Sequence, residues 1–549
     1  MSLALDPFNF KIRSTGSRLA GASALFVITA LGAVFRFHQL DTLPLEMTSD
    51  HVEKLLDIWR LIKGERHLFF ANNGGREPLE FYLVWLFIQV GFPWSFWTLK
   101  AAMAGVSTLN IPLVYLLGRE VGSRRLGLFA AALLAVSAWH VQISRTGLRI
   151  AFAPLFVTLT LIFFFRALRT ARRRDFLVCG VLLALGMYGY TAFRAMLIAL
   201  PVLLASWVLS KPAHLRAQAG RRTLIINLLW GAGAAVTLML PIIGYALWHP
   251  DLFWHRIESR LGGQPQVVDS IGQFLKNFGE ALLMFHYSSD RHWFHNPPGY
   301  PALSTLGGIL MILGIVQASA RAVRKEFNSG ALLFLVIVLI LPSTLALAFP
   351  NEVPHLGRAS GVIPIIAILM AFPLESLCRQ GRKAVHAWIY GMAAAALIGA
   401  SGAADWRRYF GPYRDSYNLN THPTSLGAAV ISEYLEKYGD GAQFFLVGWS
   451  HGWDYRALGI LLNKPEWGGV MWGERQDGAD ALRHLDQHLS DQGPKLYLVG
   501  GELAKGHLDT LRWFYPKNET RIHHHENPKK SFYSFLVDAA KNRNVEASG

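Results

Sequence analysis

Long apolar runs recur along most of this chain, and they constrain its fold more than any other feature. They follow one another from Ser17 to Ala404 and then stop. Each run has about 17–25 residues, which as a helix is long enough to cross the roughly 30 Å of hydrocarbon in a bilayer. The sequence therefore predicts a polytopic α-helical membrane domain at residues 1–404 and a soluble domain at residues 405–549.

The charged residues support this prediction. Only 16% of the 549 residues are charged, against about 25% in an average soluble domain. The net charge of +16 would suggest a nucleic-acid partner in a soluble protein, but most Lys and Arg here lie in short connectors between apolar runs. This positive-inside pattern predicts that the connectors are cytoplasmic and that nucleic acid is not a partner. The connectors are Arg119–Arg125, Arg166–Arg174, Lys211–Arg222, Arg321–Lys325 and Arg379–Lys383.

The alternation of these connectors decides which apolar runs span the membrane. If both 80–91 and 97–117 crossed it, Arg119–Arg125 would lie on the outer side. Pro78–Gly91 has little more than half of the roughly 20 residues that a span needs, so we expect a juxtamembrane helix at the outer interface. Eleven spans remain, and the first should be retained because no A-x-A cleavage site precedes Asp41. They lie near 19–37, 97–117, 126–140, 149–165, 175–190, 194–210, 223–247, 302–319, 330–349, 360–377 and 386–404.

The remaining ionisable residues gather in the predicted outer loops. A transporter would be expected to place them near the middle of the membrane, in paired or broken helices. A non-catalytic scaffold for the C-terminal domain would not need them in several loops at once. An active site at the outer face is the favoured prediction, and transporter and scaffold are the alternatives. The loops are 38–96, Ser144–Arg149, 248–301 and Asn351–Ser360.

Asp50 is the first candidate in these loops. It precedes an apolar helical pattern, and Glu53 follows three residues later, as in a capping box. The same carboxylate lies in a long polar loop next to the membrane, where it could act as a general base. The residues alone leave both interpretations open.

Several motifs resemble those of the type C membrane glycosyltransferases, in particular the branch of the protein O-mannosyltransferases and aminoarabinose transferases. An Asp follows the first helix, a turn lies near Gly64, and GGREPLEFYL leads into an amphipathic segment. A later stretch, LLGREVGSRRLGLFAAALLAVSAWHVQISRTGLRIAFAPL, is similar to the part of this superfamily in which a span ends in an outer loop. The likeness covers residues 18 to about 404 in the order and sidedness of these motifs.

The resemblance implies transfer of a sugar from a polyprenyl-phosphate donor to an acceptor protein, lipid or glycan, with inversion, at the outer face of a prokaryotic plasma membrane. Asp50 matches the catalytic Asp of the family, which deprotonates the acceptor. Arg76 falls where the aminoarabinose branch has a phosphate-binding Lys, and an Arg keeps that cationic role. Read alone, Arg76 also fits an interfacial anchor among lipid headgroups.

Further cations and carboxylates are expected to complete the site. Arg149 and Arg358 are predicted to bind the donor phosphate, although both also fit arginines that contact lipid headgroups. Glu53, Glu77 and Arg145 are predicted substrate contacts. The oligosaccharyltransferase relatives carry metal-binding carboxylates after this second motif, whereas this chain has none there before Asp175, so a metal is not favoured.

The loop before the span at 302–319 adds Asp290, His292 and Asn296 as predicted substrate contacts. His292 and His295, three residues apart, also suggest a metal site. Zinc would need a third ligand, and the Pro-Pro-Gly turn that follows argues against a helix that holds the pair. No metal site or cofactor is therefore predicted, and a divalent metal stays possible.

The C-terminal domain is predicted to be a small α/β domain outside the membrane that helps to hold the acceptor. Ala442–Gly448 and Lys495–Gly500 have the composition of buried strands. Leu426–Tyr438, Ala479–Leu489 and Glu502–Phe514 have helical periodicity.

Overall fold

The computed structural model has a helical membrane domain followed by a small α/β domain. It describes residues 15–212, 217–262, 270–379, 384–439, 443–449, 454–466, 470–473, 493–501, 504–516 and 518–538. The helices of the membrane domain are α1 Thr15–Phe37, α2 Ser49–Ile62, α3 Leu79–Gln89, α4 Phe96–Val121, α5 Arg124–Val136, α6 Ala138–Arg145, α7 Phe152–Thr170, α8 Arg173–Met187, α9 Met196–Leu209, α10 Gln218–Trp248, α11 Pro250–Leu261, α12 Ser270–Leu283, α13 Thr305–Val323, α14 Phe327–Thr344, α15 Ile363–Arg379 and α16 Ala384–Arg408.

The polytopic architecture is confirmed. Within the described ranges, eight helices are long and apolar enough to cross a membrane, and α5 with α6, bent by 57° against each other, would make a ninth span. Helices occupy all eleven predicted positions, but α8 has only 15 residues and α16 is not among the eight. Pro78–Gly91 forms the short helix α3 of 11 residues, as predicted, and its position at the outer interface stays a prediction.

Small residues let the helices of the membrane domain pack closely. A Cβ atom on Gly180 of α8 would lie 2.0 Å from the carbonyl oxygen of Gly231 on α10, and one on Gly118 of α4 would lie 2.6 Å from Cα of Gly127 on α5. Because lipid tails are as apolar as Leu side chains, such close backbone contacts supply much of the attraction between membrane helices. The glycines therefore hold the bundle together from inside.

The basic connectors gather at one end of this bundle. Arg169 forms an ion pair with Glu120 at 2.6 Å, and Asn328 donates to the carbonyl of Val121 at 2.9 Å. Asn227 donates to the carbonyl of Ala171 at 2.7 Å. These contacts join two connectors to each other and to residues just after two more, which agrees with the predicted parity, in which all connectors lie on the same side.

The junction between the two domains is a continuous helical segment. α16 runs past the predicted boundary at residue 404 and continues through a π-helical turn, Tyr409–Tyr413, into α17, Arg414–Asn420. The Tyr413 hydroxyl donates to the carbonyl of Phe294 at 3.0 Å, and Tyr417 donates to the carbonyl of Glu46 at 2.7 Å. The junction thus pins two loops of the membrane domain.

The C-terminal domain contains a five-stranded sheet of order β2-β1-β3-β5-β4. β1 is parallel to β2 and β3, whereas β5 is antiparallel to β3 and β4. The cores on the two faces of the sheet are separate, and α18 and α19 pack on one face while α20 packs on the other. The elements are α18 Thr424–Tyr438, β1 Gln443–Trp449, α19 Tyr455–Leu461, β2 Val470–Gly473, β3 Lys495–Val499, α20 Ala504–Phe514, β4 Glu519–His523 and β5 Phe532–Val537.

The predicted α/β class of this domain is confirmed, with both predicted strands and two of its three predicted helices in place. The third, Ala479–Leu489, lies outside the described residues. β2, β4 and β5 were not predicted. β4 is the partly exposed edge strand of the sheet, so its sequence ETRIH lacks the apolar run of a buried strand.

Candidate active site

A cavity of about 570 Å³ lies where the loops at the other end of the bundle converge, opposite the basic connectors. Six of the ten predicted site residues line it, and four do not. The six are Asp50, Arg76, Arg149, Asp290, His292 and Arg358. The structure adds residues that the sequence did not single out for this site, chief among them Lys54, Arg256, Arg260, Glu352, His295 and His355.

Asp50 lies in the first turn of α2, and the cap of this helix is Thr48. The backbone N–H of Thr48 donates to Nδ1 of His51 at 3.0 Å, which completes a capping box with His51 rather than Glu53. The interpretation of Asp50 as the cap is therefore wrong. Its side chain is 49% exposed and faces the cavity.

The charge of Asp50 is stabilised by cations. Burial alone would raise its pKa, but Lys54, Arg76 and Arg256 hold the pKa of this carboxyl well below its usual range. Arg76 donates to Oδ1 of Asp50 at 2.6 Å. Asp50 is therefore ionised at neutral pH, and it becomes a stronger base when a ligand draws these cations away.

Arg76 is positioned by a tight turn. Gly74 and Gly75 have φ angles of +74° and +85°, which favour glycine, and a Cβ on Gly75 would lie 2.6 Å from the ring of Phe69. The turn closes with two backbone hydrogen bonds between Phe70 and Arg76. Arg76 is only 1% exposed, so it is not an anchor among lipid headgroups.

Lys54 lies one helical turn after Asp50, and its Nζ is 3.5 Å from Oε2 of Glu80 on α3. Both side chains are almost fully buried. Burial lowers the pKa of Lys54 to about 7. The spacing of four residues from Asp50 on a predicted helix was the signal that could have found it.

Glu77, a predicted substrate contact, has protein partners. It does not line the cavity, and its oxygens accept from Arg149 at 3.1 Å, Arg194 at 3.3 Å and Thr191 at 2.6 Å. This buried carboxylate holds Arg149 against the cavity wall. It explains why a carboxylate is tolerated directly after Arg76.

The opposite wall carries a second set of cations. Arg256 and Arg260 lie one turn apart on α11, and Arg260 pairs with Glu352 at 2.6 Å. Arg358 pairs with the same oxygen of Glu352. The sequence pattern predicts a loop at residues 248–301, so the i, i+4 spacing of the two arginines was overlooked. In a helix this spacing places both side chains on the same face.

Asp290 joins two loops on this wall. Its Oδ1 accepts the backbone N–H of His292 at 3.1 Å, and Oδ2 accepts that of Leu356 at 3.3 Å. His295 and His355 lie beside it, and one ligand atom from each of the three residues falls within 4.8 Å of the others. Among the described residues this is the group that could hold a metal ion, and His292 is not part of it.

Arg145, another predicted substrate contact, lies outside the cavity. It is fully buried and donates to the carbonyls of Phe35, Arg36, Gln39 and Leu43 at 2.8–3.2 Å, and to the hydroxyl of Tyr409. These carbonyls lie at the end of α1 and in the segment after it. Arg145 therefore donates to carbonyl oxygens that accept no hydrogen bond within the helix.

Asn296 and Glu53, also predicted substrate contacts, have protein partners as well. Asn296 is buried and bonds to the Ser289 hydroxyl at 2.7 Å and to Arg408 at 3.0 Å, which stabilises the loop. Glu53 pairs with Arg456 of the C-terminal domain at 2.6 Å. Both side chains have structural partners and neither lines the cavity.

An apolar groove of about 280 Å³ adjoins the cavity. Tyr190, Arg256, Arg260 and Arg358 line both. Apolar side chains form most of the rest of the groove, together with Thr191 and Arg194. Among them are Ala195, Ile198, Ile257, Leu341, Pro342 and Leu345. Charged and apolar surfaces thus meet at a shared boundary of three arginines.

Comparisons with known proteins agree with this arrangement. The sequence profile of the dolichyl-phosphate-mannose-protein mannosyltransferases matches residues 76–243, which is less than half of the chain. No curated protein sequence matches the chain.

Solved structures match over most of its length. ArnT from Cupriavidus metallidurans in the apo state has a TM-score of 0.57 at 12% identity and covers 96% of this chain and 99% of its own. The same protein bound to undecaprenyl phosphate has a TM-score of 0.54 at 13% identity, with 95% and 98% covered. The oligosaccharyltransferase of Archaeoglobus fulgidus in the apo form has a TM-score of 0.54 at 14% identity, with 89% and 71% covered.

The fold and the site thus define a multi-pass membrane protein with the fold of the type C glycosyltransferases. The predicted resemblance to that superfamily is confirmed. Within it, the matched sequence profile is that of a mannosyltransferase family, and the matched structures include an ArnT and an oligosaccharyltransferase.

Proposed function

We propose that this protein is an inverting glycosyltransferase that moves a sugar from a polyprenyl-phosphate donor to an acceptor at the outer face of the plasma membrane. The observation that carries the proposal is the continuity between the cationic cavity and the apolar groove, through Arg256, Arg260 and Arg358. A lipid phosphate has the matching chemistry, because an anionic head joins a long apolar tail.

The cations suit the phosphate of such a donor. Arg76, Arg149 and Arg358 line the cavity, and each keeps one buried guanidinium nitrogen without a hydrogen-bond partner among the described residues. Guanidinium groups bind phosphate with charge-assisted, often bidentate hydrogen bonds. We expect the donor phosphate to take up this donor capacity while its tail lies in the groove.

The reaction then needs few groups. The acceptor hydroxyl or amine attacks the anomeric carbon from the side opposite the phosphate, its proton passes to Asp50, and the bond from the anomeric carbon to the phosphate oxygen breaks. The leaving polyprenyl phosphate gains negative charge, which the arginines stabilise. When Arg76 turns from Asp50 to that phosphate, the pKa of Asp50 rises, so donor binding makes it a better base.

Two observations support the lipid donor and the sidedness. One matched ArnT structure holds undecaprenyl phosphate, and one structure of the archaeal oligosaccharyltransferase holds an inhibitory peptide and a dolichol phosphate. The basic connectors lie at the end of the bundle opposite the cavity. By the positive-inside rule that end is cytoplasmic, so the cavity faces outward. The C-terminal domain lies on the cavity side and borders the acceptor entrance in this proposal.

The test is release of free polyprenyl phosphate by the purified protein from a panel of short-chain polyprenyl-phosphate sugars, with and without candidate acceptors. Release with one sugar, lost in Asp50→Asn, would identify the donor and support the base. Glu65→Gln, an exposed carboxylate on the same loop, is the matched control and should retain release. No release with any sugar would reject the proposal in favour of a scaffold, and full activity of Asp50→Asn would remove Asp50 from the mechanism.

A further inference from the structure

We propose that Asp290, His295 and His355 bind a divalent transition metal of the zinc class, which ties two loops of the cavity wall together. His295 belongs to the loop that precedes α13, and His355 to the segment between α14 and α15. The sequence alone suggested only the pair His292 and His295. In the structure Asp290 takes the place of His292, and His355, about sixty residues after His295, is the third ligand.

The geometry suits such an ion. Nδ1 of His295 lies 3.3 Å from Oδ2 of Asp290, and Nδ1 of His355 lies 3.9 Å from the same oxygen. Ligands of tetrahedral zinc, at about 2.0–2.2 Å from the metal, are about 3.4 Å apart. A small movement of His355 therefore brings all three atoms to coordinating distance.

His295 is the second observation that points to a ligand. The residue is only 7% exposed, yet neither ring nitrogen makes a hydrogen bond with the described residues, and the nearest acceptor is the Asp290 oxygen 3.3 Å from Nδ1. A buried polar group left in this state is destabilising. A metal ion bound at one nitrogen removes that cost for the atom concerned.

The neighbouring groups hold the other two ligands in place. Backbone N–H groups of His292 and Leu356 orient Asp290 and leave a lone pair on Oδ2 for a metal. His355 Nδ1 now accepts the N–H of Arg358 in a long hydrogen bond of 3.2 Å, which coordination would replace. Such supporting contacts usually accompany metal ligands.

The charges nearby are compatible with a dication. Arg260 and Arg358 both pair with Glu352, which offsets one of their two positive charges, and the ligand Asp290 adds a second negative charge. Two imidazoles and one carboxylate form a donor set that zinc accepts readily. Three protein ligands also leave a coordination position open, and all three residues line the cavity. Metal binding here does not depend on which reaction the cavity performs.

The first measurement is the metal content of the purified full-length protein, with cobalt(II) titration of the chelator-treated protein followed by absorption spectroscopy. We expect about one transition metal ion per chain and the visible absorption bands of low-coordinate cobalt. Both should be lost in His295→Ala and Asp290→Asn. His292→Ala, three residues away and outside the group, is the matched control and should retain both.

His295→Cys guards against the possibility that a variant simply fails to fold, since a thiolate can replace the imidazole as a ligand. Retained metal in His295→Cys, with loss in His295→Ala at equal size-exclusion behaviour, would support direct ligation. Wild-type protein that contains no metal and shows no cobalt absorption would overturn the proposal. So would equal metal content in wild type, His295→Ala and Asp290→Asn.

Discussion

Two groups of buried cations in the membrane domain have similar residue types and different partners. The carbonyl cluster, which is Arg36, Lys100 and Arg145, donates mainly to backbone carbonyls. Lys100 and Arg145 donate to those at the end of α1 and after it, and Arg36 donates to Gly32 of α1 and Ala135 of α5. In the described part of the chain none of the three forms an ion pair with a carboxylate. The carboxylate network pairs Arg76 with Asp50, Lys54 with Glu80 and Arg149 with Glu77.

The difference lies in what a ligand can displace. A buried carbonyl has no water to replace a lost hydrogen-bond donor. If the cation moves away, the carbonyl oxygen stays buried and unsatisfied. A carboxylate partner can be exchanged for a phosphate oxygen, because both are anionic acceptors for the same N–H groups. The carbonyl cluster therefore stabilises the fold, whereas the carboxylate network borders the cavity and is available to a substrate.

The largest expected effect is on folding, from Arg145→Ala. It leaves four carbonyls and a tyrosine hydroxyl without this donor, at about 1–3 kcal/mol for each group that stays unsatisfied. We expect little folded protein by size-exclusion chromatography and a lower Tm. Arg149→Ala, four residues away, should fold and lose donor use instead. A normal Tm with lost transfer in Arg145→Ala would place Arg145 in the active site and break the comparison.

Arg76→Ala should fold and weaken use of the lipid donor by about 10–100-fold, since a charge-assisted hydrogen bond contributes about 1.5–3 kcal/mol. The measurement is the KM for the donor. Removing this cation also raises the pKa of Asp50, so the acid limb of the pH–rate profile should move to higher pH. Arg60→Ala, a half-exposed arginine on α2, is the control. An unchanged donor KM would refute phosphate binding by Arg76.

Lys54 should make donor affinity depend on pH near neutrality. Burial lowers its pKa to about 7, so it loses its proton as pH rises through that value and the cavity loses one positive charge. The donor KM should then rise by up to about tenfold, or about 1.4 kcal/mol. Lys54→Met should flatten this step in KM, whereas the exposed Lys63→Met should not. A step that persists in Lys54→Met would assign it to another group.

Glu53→Gln should have the smallest effect. Glu53 pairs with Arg456, which Asp454 also holds at 2.7 Å, and such partly exposed pairs contribute about 0–1 kcal/mol. We expect kcat/KM to stay within about twofold of wild type for donor and acceptor. A large loss of kcat/KM without loss of stability would restore Glu53 as the substrate contact that the sequence suggested.

Much of the fold was predictable because the hydrocarbon core of a bilayer sets the length and composition of a spanning helix. The parity of the basic connectors, together with its short length, also separated α3 from the spans, although its sequence is mostly apolar. α8 shows the limit of this reasoning. Its apolar sequence continues past Met187, but the helix ends there, and a turn with Gly189 leads into the next helix.

The site was predictable where its residues share one loop. Asp50 and Arg76 are close in sequence and the turn at Gly74 and Gly75 brings them together, so a motif could suggest both. Arg256 and Arg260 were missed because a helix outside the apolar pattern looks like a loop. Arg145 and Arg149 show the reverse case. One motif placed both in the site, but only Arg149 lines the cavity.

The sequence by itself determined the multi-pass helical class, the end of the bundle where the ionisable loops meet, and the candidate base. Apolar length and charge position depend on the solvent around each segment, which the sequence encodes locally. Only the tertiary structure decided which cations face a carbonyl, a carboxylate or the cavity, and it brought His355 to His295. Those partners come from distant segments, and the function of a buried charge depends on its partner.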